Sequence, residues 1–282
     1  MCLIAFAIGA SQRWPLVIAS NRDEFLNRPT RPLEQWQTAC GQDIISGRDL
    51  REGGTWLGMT PCGRVAFLTN VRDGEAKTAA LSRGRLVTSW LESRSDASVF
   101  ASLLEKDKGH YGSFNLVVGD MQRNAWTWIT NRAVAPGSPW YSQSLPAGIY
   151  GLSNAALDTP WPKTLALKTA LTAALSTDLI TGLLDCTAPS PLWTALGNRE
   201  RAPFCALPQT GVSEAMEIGL SSAFVDIPEH GYGTRSSTVL LASRAAGPRS
   251  GQALRIDVTE KTYQRAAADS APLVTSRSFD LF

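Results

Sequence analysis

An α+β fold of antiparallel sheets in four αββα layers is what this 282-residue sequence predicts. Three observations predict it: paired β-rich runs joined by short turns in the first half, helical spacing in the middle, and more β-rich runs after it. Strands this close along the chain must pair antiparallel, because parallel neighbours need a long crossover. Strand groups on both sides of a helical region divide into two helix-covered sheets more readily than into a doubly wound parallel sheet.

The elements follow in order. Runs 2–9 and 14–20 are rich in β-formers around a polar turn. Runs 55–60 and 64–70 flank a turn in which Pro61 stands second and Gly63 fourth, as a type I turn favours. Runs 113–119 and 125–131 repeat the arrangement. Apolar spacing predicts helices over 81–91 and 97–104, the second capped by Asp96. The clearest predicted helix is 161–175, with Pro162 in its first turn and a stripe through Leu165, Leu167, Leu171 and Leu175. A further helix is expected over 178–184 and a proline-rich loop over 187–211, followed by strands at 221–226, 237–242 and 254–259.

Composition narrows the classes. With 44% apolar and 18% charged residues, burial can offset the cost of ordering, so the chain folds. Its length suits one large domain or two small ones. A formal charge of only +2, with arginines scattered among acids, gives no nucleic-acid footprint. No run approaches the ~20 apolar residues of a membrane span. Residues 2–10 lack the basic flank of a signal peptide and are read as a strand of the mature protein. Five cysteines without a CxxC spacing point to reduced thiols and a cytoplasmic location. Two histidines, His110 and His230, leave no zinc cage, and no metal site is expected.

Cys2 is the first residue with chemical content. Removal of Met1 leaves it with a thiol and an α-amine, and an amine of pKa about 7.7–8.0 can take the thiol's proton near neutrality without a histidine. It is equally read as a small strand residue. A turn centred on Ser11 and Gln12 makes cross-strand partners sum to about 23, placing Cys2 opposite Asn21 within ~2 residues. The thiol then meets Asn21, Arg22, Asp23 and Glu24, which supply a carboxylate to orient the amine and donors for an oxyanion, or else cap and pair at the surface. Asn70 and Asn154 each end a strand, as oxyanion donors or as turn residues. Gly53 and Gly54 allow close backbone approach or a tight turn.

At these residues the chain resembles the NRDE family, of the transport-and-Golgi-organisation type. The resemblance is carried by Met1-Cys2-Leu3-Ile4, the tetrad from Asn21 to Glu24 with Arg28-Pro29, and Gly47-Arg48-Asp49 with Gly53-Gly54-Thr55-Trp56. It continues through Leu68-Thr69-Asn70, Phe114-Asn115-Leu116, 150–154, 158–163 and 232–238, and implies a single family domain over 1–282. Members are connected with haem mobilisation, acyl-CoA and lipid homeostasis, and secretory-pathway organisation. The resemblance therefore implies a small-molecule ligand such as haem, an acyl-CoA or an acyl amide, with haem as cargo rather than required cofactor. Asn21, Arg22, Glu24 and Arg48 are its expected contacts, with Arg235 as a further cation and Trp56, Phe67 and Trp161 as apolar walls. More distantly the pattern is similar to the cysteine N-terminal-nucleophile hydrolases. That likeness implies an Ntn-hydrolase-like sandwich with Cys2 as nucleophile, Asp23 as orienting carboxylate, Asn70 and Asn154 at the oxyanion, and Arg235 as a late arginine. Those hydrolases carry an arginine where this chain has Ser20.

Overall fold

A computed structural model describes residues 2–74, 79–134, 139–176, 190–244, 254–264 and 271–281. In chain order the described strands are β1 (Cys2–Ile8), β2 (Leu16–Phe25), β3 (Thr30–Gln37), β4 (Asp43–Asp49), β5 (Leu57–Met59), β6 (Arg64–Asn70) and β7 (Phe114–Asp120). They continue with β8 (Ala125–Thr130), β9 (Tyr141–Ser144), β10 (Gly148–Leu152), β11 (Asp226–Ile227), β12 (Tyr232–Arg244), β13 (Leu254–Thr262) and β14 (Leu273–Leu281). The described α-helices are α1 (Gly84–Glu92), α2 (Ala97–Asp107), α3 (Pro162–Ser176), α4 (Pro191–Leu196) and α5 (Glu214–Gly219). The chain divides into two compact units, one made of Met1–Asn27, Ala147–Ser153 and Asp158–Phe282, the other of Arg28–Pro146 and Asn154–Leu157.

In the first unit the sheet runs β10-β1-β2-β12-β13-β14, with β11 beside β12, and every described pairing is antiparallel. All seven residues of β1 are buried, which explains why it reads as a continuous apolar run rather than an alternating one. Leu3, Ala5 and Ala7 of β1, Val17 and Ala19 of β2, and Val239 and Leu241 of β12 share one face. There they pack against Leu167 and Leu171 of α3 and Leu192, Trp193 and Leu196 of α4.

The second unit holds the sheet β3-β4-β5-β6-β7-β8-β9, again antiparallel throughout. Its helical face buries Ala66, Leu68, Leu116, Val118 and Ile129 beneath Leu86, Val87 and Trp90 of α1 and Phe100 and Leu104 of α2. Two antiparallel sheets, each carrying helices, make the fold α+β and supply the components of the αββα arrangement.

Several local expectations are corrected. The apolar stripe of α3 runs through Leu167, Leu171 and Ala174, while Leu165 is exposed, because Lys163 and Thr164 turn inward instead. Lys163 is held there by donating to the Leu220 carbonyl at 2.8 Å. Pro191 opens the short helix α4 inside the stretch expected to be loop, since the first helical turn does not need the missing N–H. The strand expected at 221–226 shrinks to Asp226–Ile227. Strands β3, β4, β9 and β14 are additions; β3 and β14 are largely exposed and polar, β9 is a short exposed run, and β4 has only the adjacent pair Ile44 and Ile45, so none shows the apolar alternation that marks a strand. The helix expected over 178–184 lies outside the described residues.

Both readings of the glycine pair hold, one for each residue. Gly53 has φ +78, a turn conformation that other residues adopt at a cost. At Gly54 an added Cβ would lie 2.6 Å from the backbone carbon of Gly84, the first residue of α1. Backbone cannot swing aside as a side-chain tip can. Gly54→Ala is expected to cost about 1–3 kcal/mol in denaturant-induced unfolding, the range for overpacking a filled site.

Candidate functional site around Cys2

The register of the first hairpin decides what the thiol meets. Gly9, at φ +56, closes the turn by donating to the Pro15 carbonyl, and Cys2 pairs with Arg22 while Leu3 pairs with Asn21. The turn is therefore centred on Gln12, half a position from where Ser11 and Gln12 together would centre it, and Cys2 faces Arg22, next to Asn21 and within the expected range. A slip of one residue changes the face on which every side chain lies. The tetrad is also part of β2 itself, not a segment beyond its end.

Along β12 the pairing with β2 is interrupted by a bulge: Thr234 partners Asp23, Ser236 partners Arg22, and Arg235 has no counterpart. An extra residue lets Thr234 and Ser236, two positions apart, project to opposite faces. Thr234 donates its hydroxyl to Asp23 Oδ1 at 2.7 Å, and Tyr232 donates its phenol to the Asp23 backbone carbonyl at 2.8 Å. Asp23 is thus fixed at both its side chain and its main chain, 1% exposed. Burial holds the Tyr232 phenol well above its usual range, and the Asp23 and Glu24 carboxylates push the same way, so it serves as a neutral donor.

Cys2 is buried and pairs with Arg22, one position along β2 from Asp23. Burial raises its thiol above the ordinary value, and the Asp23 charge adds to that. Opposing them are the Arg22 guanidinium and a hydrogen bond from the Asp23 backbone N–H. Cys2, Arg22 and Asp23 therefore form one electrostatic group. Arg22 lies 3.8 Å from Glu24, and Ser153 donates to the Cys2 carbonyl at 3.1 Å.

The other expected residues fall in different roles. Asn21, fully buried, donates to the carbonyls of Leu196 and Ala223, both at 2.8 Å, and accepts from Ser237 at 2.6 Å. It ties β2 to the helical face and to β12, on the face opposite Cys2. Arg235 donates to the Phe25 and Leu26 carbonyls at 2.9 and 3.0 Å, clamping the end of β2. Burial lowers its pKa from the usual guanidinium value, and the like charge of Arg22 adds to that shift.

Asn70, Asn154 and Arg48 belong to the second unit. Asn154 donates its side-chain amide to the Asn70 carbonyl at 2.8 Å, and its own carbonyl accepts from the Arg72 N–H at 2.8 Å, so the two asparagines form a pair. Arg48 stacks over Trp36 at 4.4 Å, next to Asp49, which holds Arg28. Trp56 and Phe67 are packed in this unit, whereas Trp161 precedes α3 in the first.

Sequence reasoning passed over Tyr232, Thr234 and Ser237 as individual residues. The signal was a run of hydroxyl-bearing residues in a strand sequence, 232–238, which only the register resolves into partners for Asp23 and Asn21. Both histidines are exposed. Among the described residues no three of His, Cys, Asp and Glu gather as metal ligands.

Fold and site together define an α+β protein whose second residue is a buried thiol paired with Arg22, next along β2 to a fixed aspartate. The chain belongs to the Transport and Golgi organisation 2 family, whose profile matches residues 1–265. It is 32% identical over 259 residues to the human Transport and Golgi organization protein 2 homolog, covering 86% of this chain and 88% of that one. To the Drosophila melanogaster Transport and Golgi organization protein 2 it is 28% identical over 257 residues, covering 86% and 87%. Among solved structures it is similar to the C2A mutant of conjugated bile acid hydrolase from Clostridium perfringens, with TM-score 0.47, 8% identity, and coverage of 99% and 97%. It is also similar to a Caenorhabditis elegans N-acylethanolamine-hydrolyzing acid amidase ortholog, with TM-score 0.44, 12% identity, and coverage of 61% and 79%.

Two outcomes are expected. Asn21→Ala should cost about 2–4 kcal/mol in equilibrium unfolding, because it leaves two buried carbonyls and a hydroxyl without their donor or acceptor. Iodoacetamide should alkylate exposed Cys40, Cys62 and Cys205 first. In the chain that retains Met1, the Cys2 rate should rise about tenfold per pH unit without levelling off below the ordinary thiol value of 9.0, because only the thiolate reacts and burial disfavours it; a plateau near pH 7 in that chain would contradict this electrostatic picture.

Proposed function

We propose that the chain is an acyl-handling protein whose working group is Cys2, acting as an amidohydrolase of the N-terminal-nucleophile type on a non-peptide C–N bond. The observation that carries the reading is the strand register, which pairs the buried Cys2 with Arg22 and sets it one position along β2 from Asp23, itself fixed by Thr234 and Tyr232. Removal of Met1 frees an α-amine on Cys2, and Asp23 orients that amine as an ammonium-stabilising carboxylate. The amine takes the thiol's proton, and the thiolate attacks the acyl carbonyl to form a C–S bond. Collapse of the tetrahedral intermediate breaks the C–N bond, and the departing amine leaves with that proton. Water then cleaves the thioester, releasing a carboxylic acid and restoring the thiol. Burial of the thiol fits this scheme, since it stays protonated until its own amine is available.

A second reading is favoured by one observation. Beside this thiol sits the buried cation of Arg22, a combination that suits holding an anionic, apolar cargo such as haem or an acyl-CoA without turnover, with Arg235 as a further anion contact. Both readings treat the two units as parts of one family domain, supported by a profile match that spans both. The described thiols are all free, which supports a reducing, cytoplasmic location. No described helix is long and apolar enough to cross a membrane.

Intact mass and acylation separate the readings. Under the first, the mature chain lacks Met1 and an acyl p-nitrophenyl ester leaves a thioester adduct on Cys2. Cys2→Ala abolishes that adduct, and Asp23→Asn slows its formation by about 10²-fold. Retained Met1 with no adduct overturns it. Saturable sub-micromolar binding of haem or an acyl-CoA in that case supports the second reading, and its absence defeats that too.

A further inference from the structure

Strand β12 carries five hydroxyls in the stretch beside β2, and four of them are accounted for; Tyr232 donates to the Asp23 carbonyl at 2.8 Å. Thr234 donates to Asp23 and accepts from the Val225 N–H at 2.9 Å. Ser237 bonds Asn21 at 2.6 Å and the Tyr263 hydroxyl at 3.0 Å. Thr238 donates to Glu260 at 3.2 Å. Ser236 differs: its residue is only 4% exposed, and its Oγ has no hydrogen-bond partner among the described residues. A buried hydroxyl left unmade is unfavourable, and such groups call for an explanation by function or by bound solvent.

Position supplies the explanation. Ser236 pairs with Arg22, which pairs with Cys2, so the three form a row across adjacent strands on one face. The bulge at Arg235 is what delivers Ser236 to that face, since an unbroken register would leave Thr234 and Ser236 on the same side of the sheet. With strands about 4.8 Å apart, Ser236 lies about 10 Å from Cys2, with the Arg22 cation between them. On its other side Thr262 is already turned to Glu260, at 3.1 Å.

We infer that Ser236 is a specificity-determining residue of the Cys2 site, where its hydroxyl donates to an oxyanion on the acyl portion of the ligand. A cation followed by an unmatched hydroxyl donor receives a carboxylate, and charge-assisted bonds of this kind are the strong ones. The substrate class is therefore an acyl compound bearing a second, carboxylate group about two strand spacings from the carbonyl that meets Cys2, rather than a plain alkyl acyl chain. This rests on the acyl-handling reading above.

The test compares Cys2 acylation of the full chain by p-nitrophenyl octanoate and by the mono-p-nitrophenyl ester of octanedioic acid, which differ only in the terminal carboxylate. Wild type should prefer the carboxylate-bearing ester by at least tenfold. Ser236→Ala should lose most of that preference while keeping the octanoate rate within about twofold and its melting temperature undiminished, because no internal hydrogen bond is lost. Ser236→Thr, which keeps the hydroxyl, should retain the preference. Absence of preference in wild type, or its persistence in Ser236→Ala, overturns the inference; a fall in melting temperature with preference intact identifies bound water as the missing partner and overturns it likewise. If wild type forms no adduct with either ester, the acyl-handling reading itself has failed.

Discussion

Everything at the candidate site follows from the antiparallel register among β1, β2 and β12. Because side chains alternate along a strand, fixing one pair fixes them all: Cys2 with Arg22 sends Leu3 and Asn21 to the helical face together. That single choice separates the tetrad into two jobs. Asn21 stitches β2 to the carbonyl of Leu196, the last residue of α4, and to that of Ala223 beyond α5, while Arg22 stays with the thiol. The bulge at Arg235 then shifts the alternation of β12 by one, giving Asp23 a threonine and Arg22 a serine.

Placing a thiol in this setting has an electrostatic consequence. Burial and the Asp23 charge disfavour the thiolate, whereas Arg22 and the Asp23 N–H favour it, and burial dominates. The site therefore holds a buried thiol whose ionisation is opposed by burial and tuned by the neighbouring charges. Asp23 is kept in position by groups from a strand more than two hundred residues further along the chain, Tyr232 and Thr234. A carboxylate anchored at both ends can orient a neighbouring amine or cation without itself reorganising, which is how fixed groups contribute to catalysis.

The two units divide the expected residues between them. Cys2, Asp23 and Arg235 build the first, and Asn70, Asn154 and Arg48 the second, where an asparagine pair is locked by the Asn154 amide on the Asn70 carbonyl. Both cores rest on the same physical device, a sheet face of small and aliphatic residues beneath helices. In the first unit Ala5, Ala7 and Ala19 leave room for α3 and α4; in the second, Trp90 and Phe100 fill the larger gap over β6 and β7.

Sequence by itself determined the fold class, the long apolar strands, the helices α1 to α3, and the fact that a thiol at position 2 meets an acidic tetrad, because hydrophobic periodicity and short hairpins are local properties. Strands β3, β4, β9 and β14 escaped it, since their stabilisation comes from neighbours paired by backbone rather than from a local apolar alternation. Only the tertiary structure decided the partner of Cys2, the structural use of Asn21, the clamp made by Arg235, and the recruitment of Tyr232, Thr234 and Ser236. The physical reason is parity: a one-residue difference in a turn or a single bulge leaves composition unchanged yet exchanges the two faces of a strand.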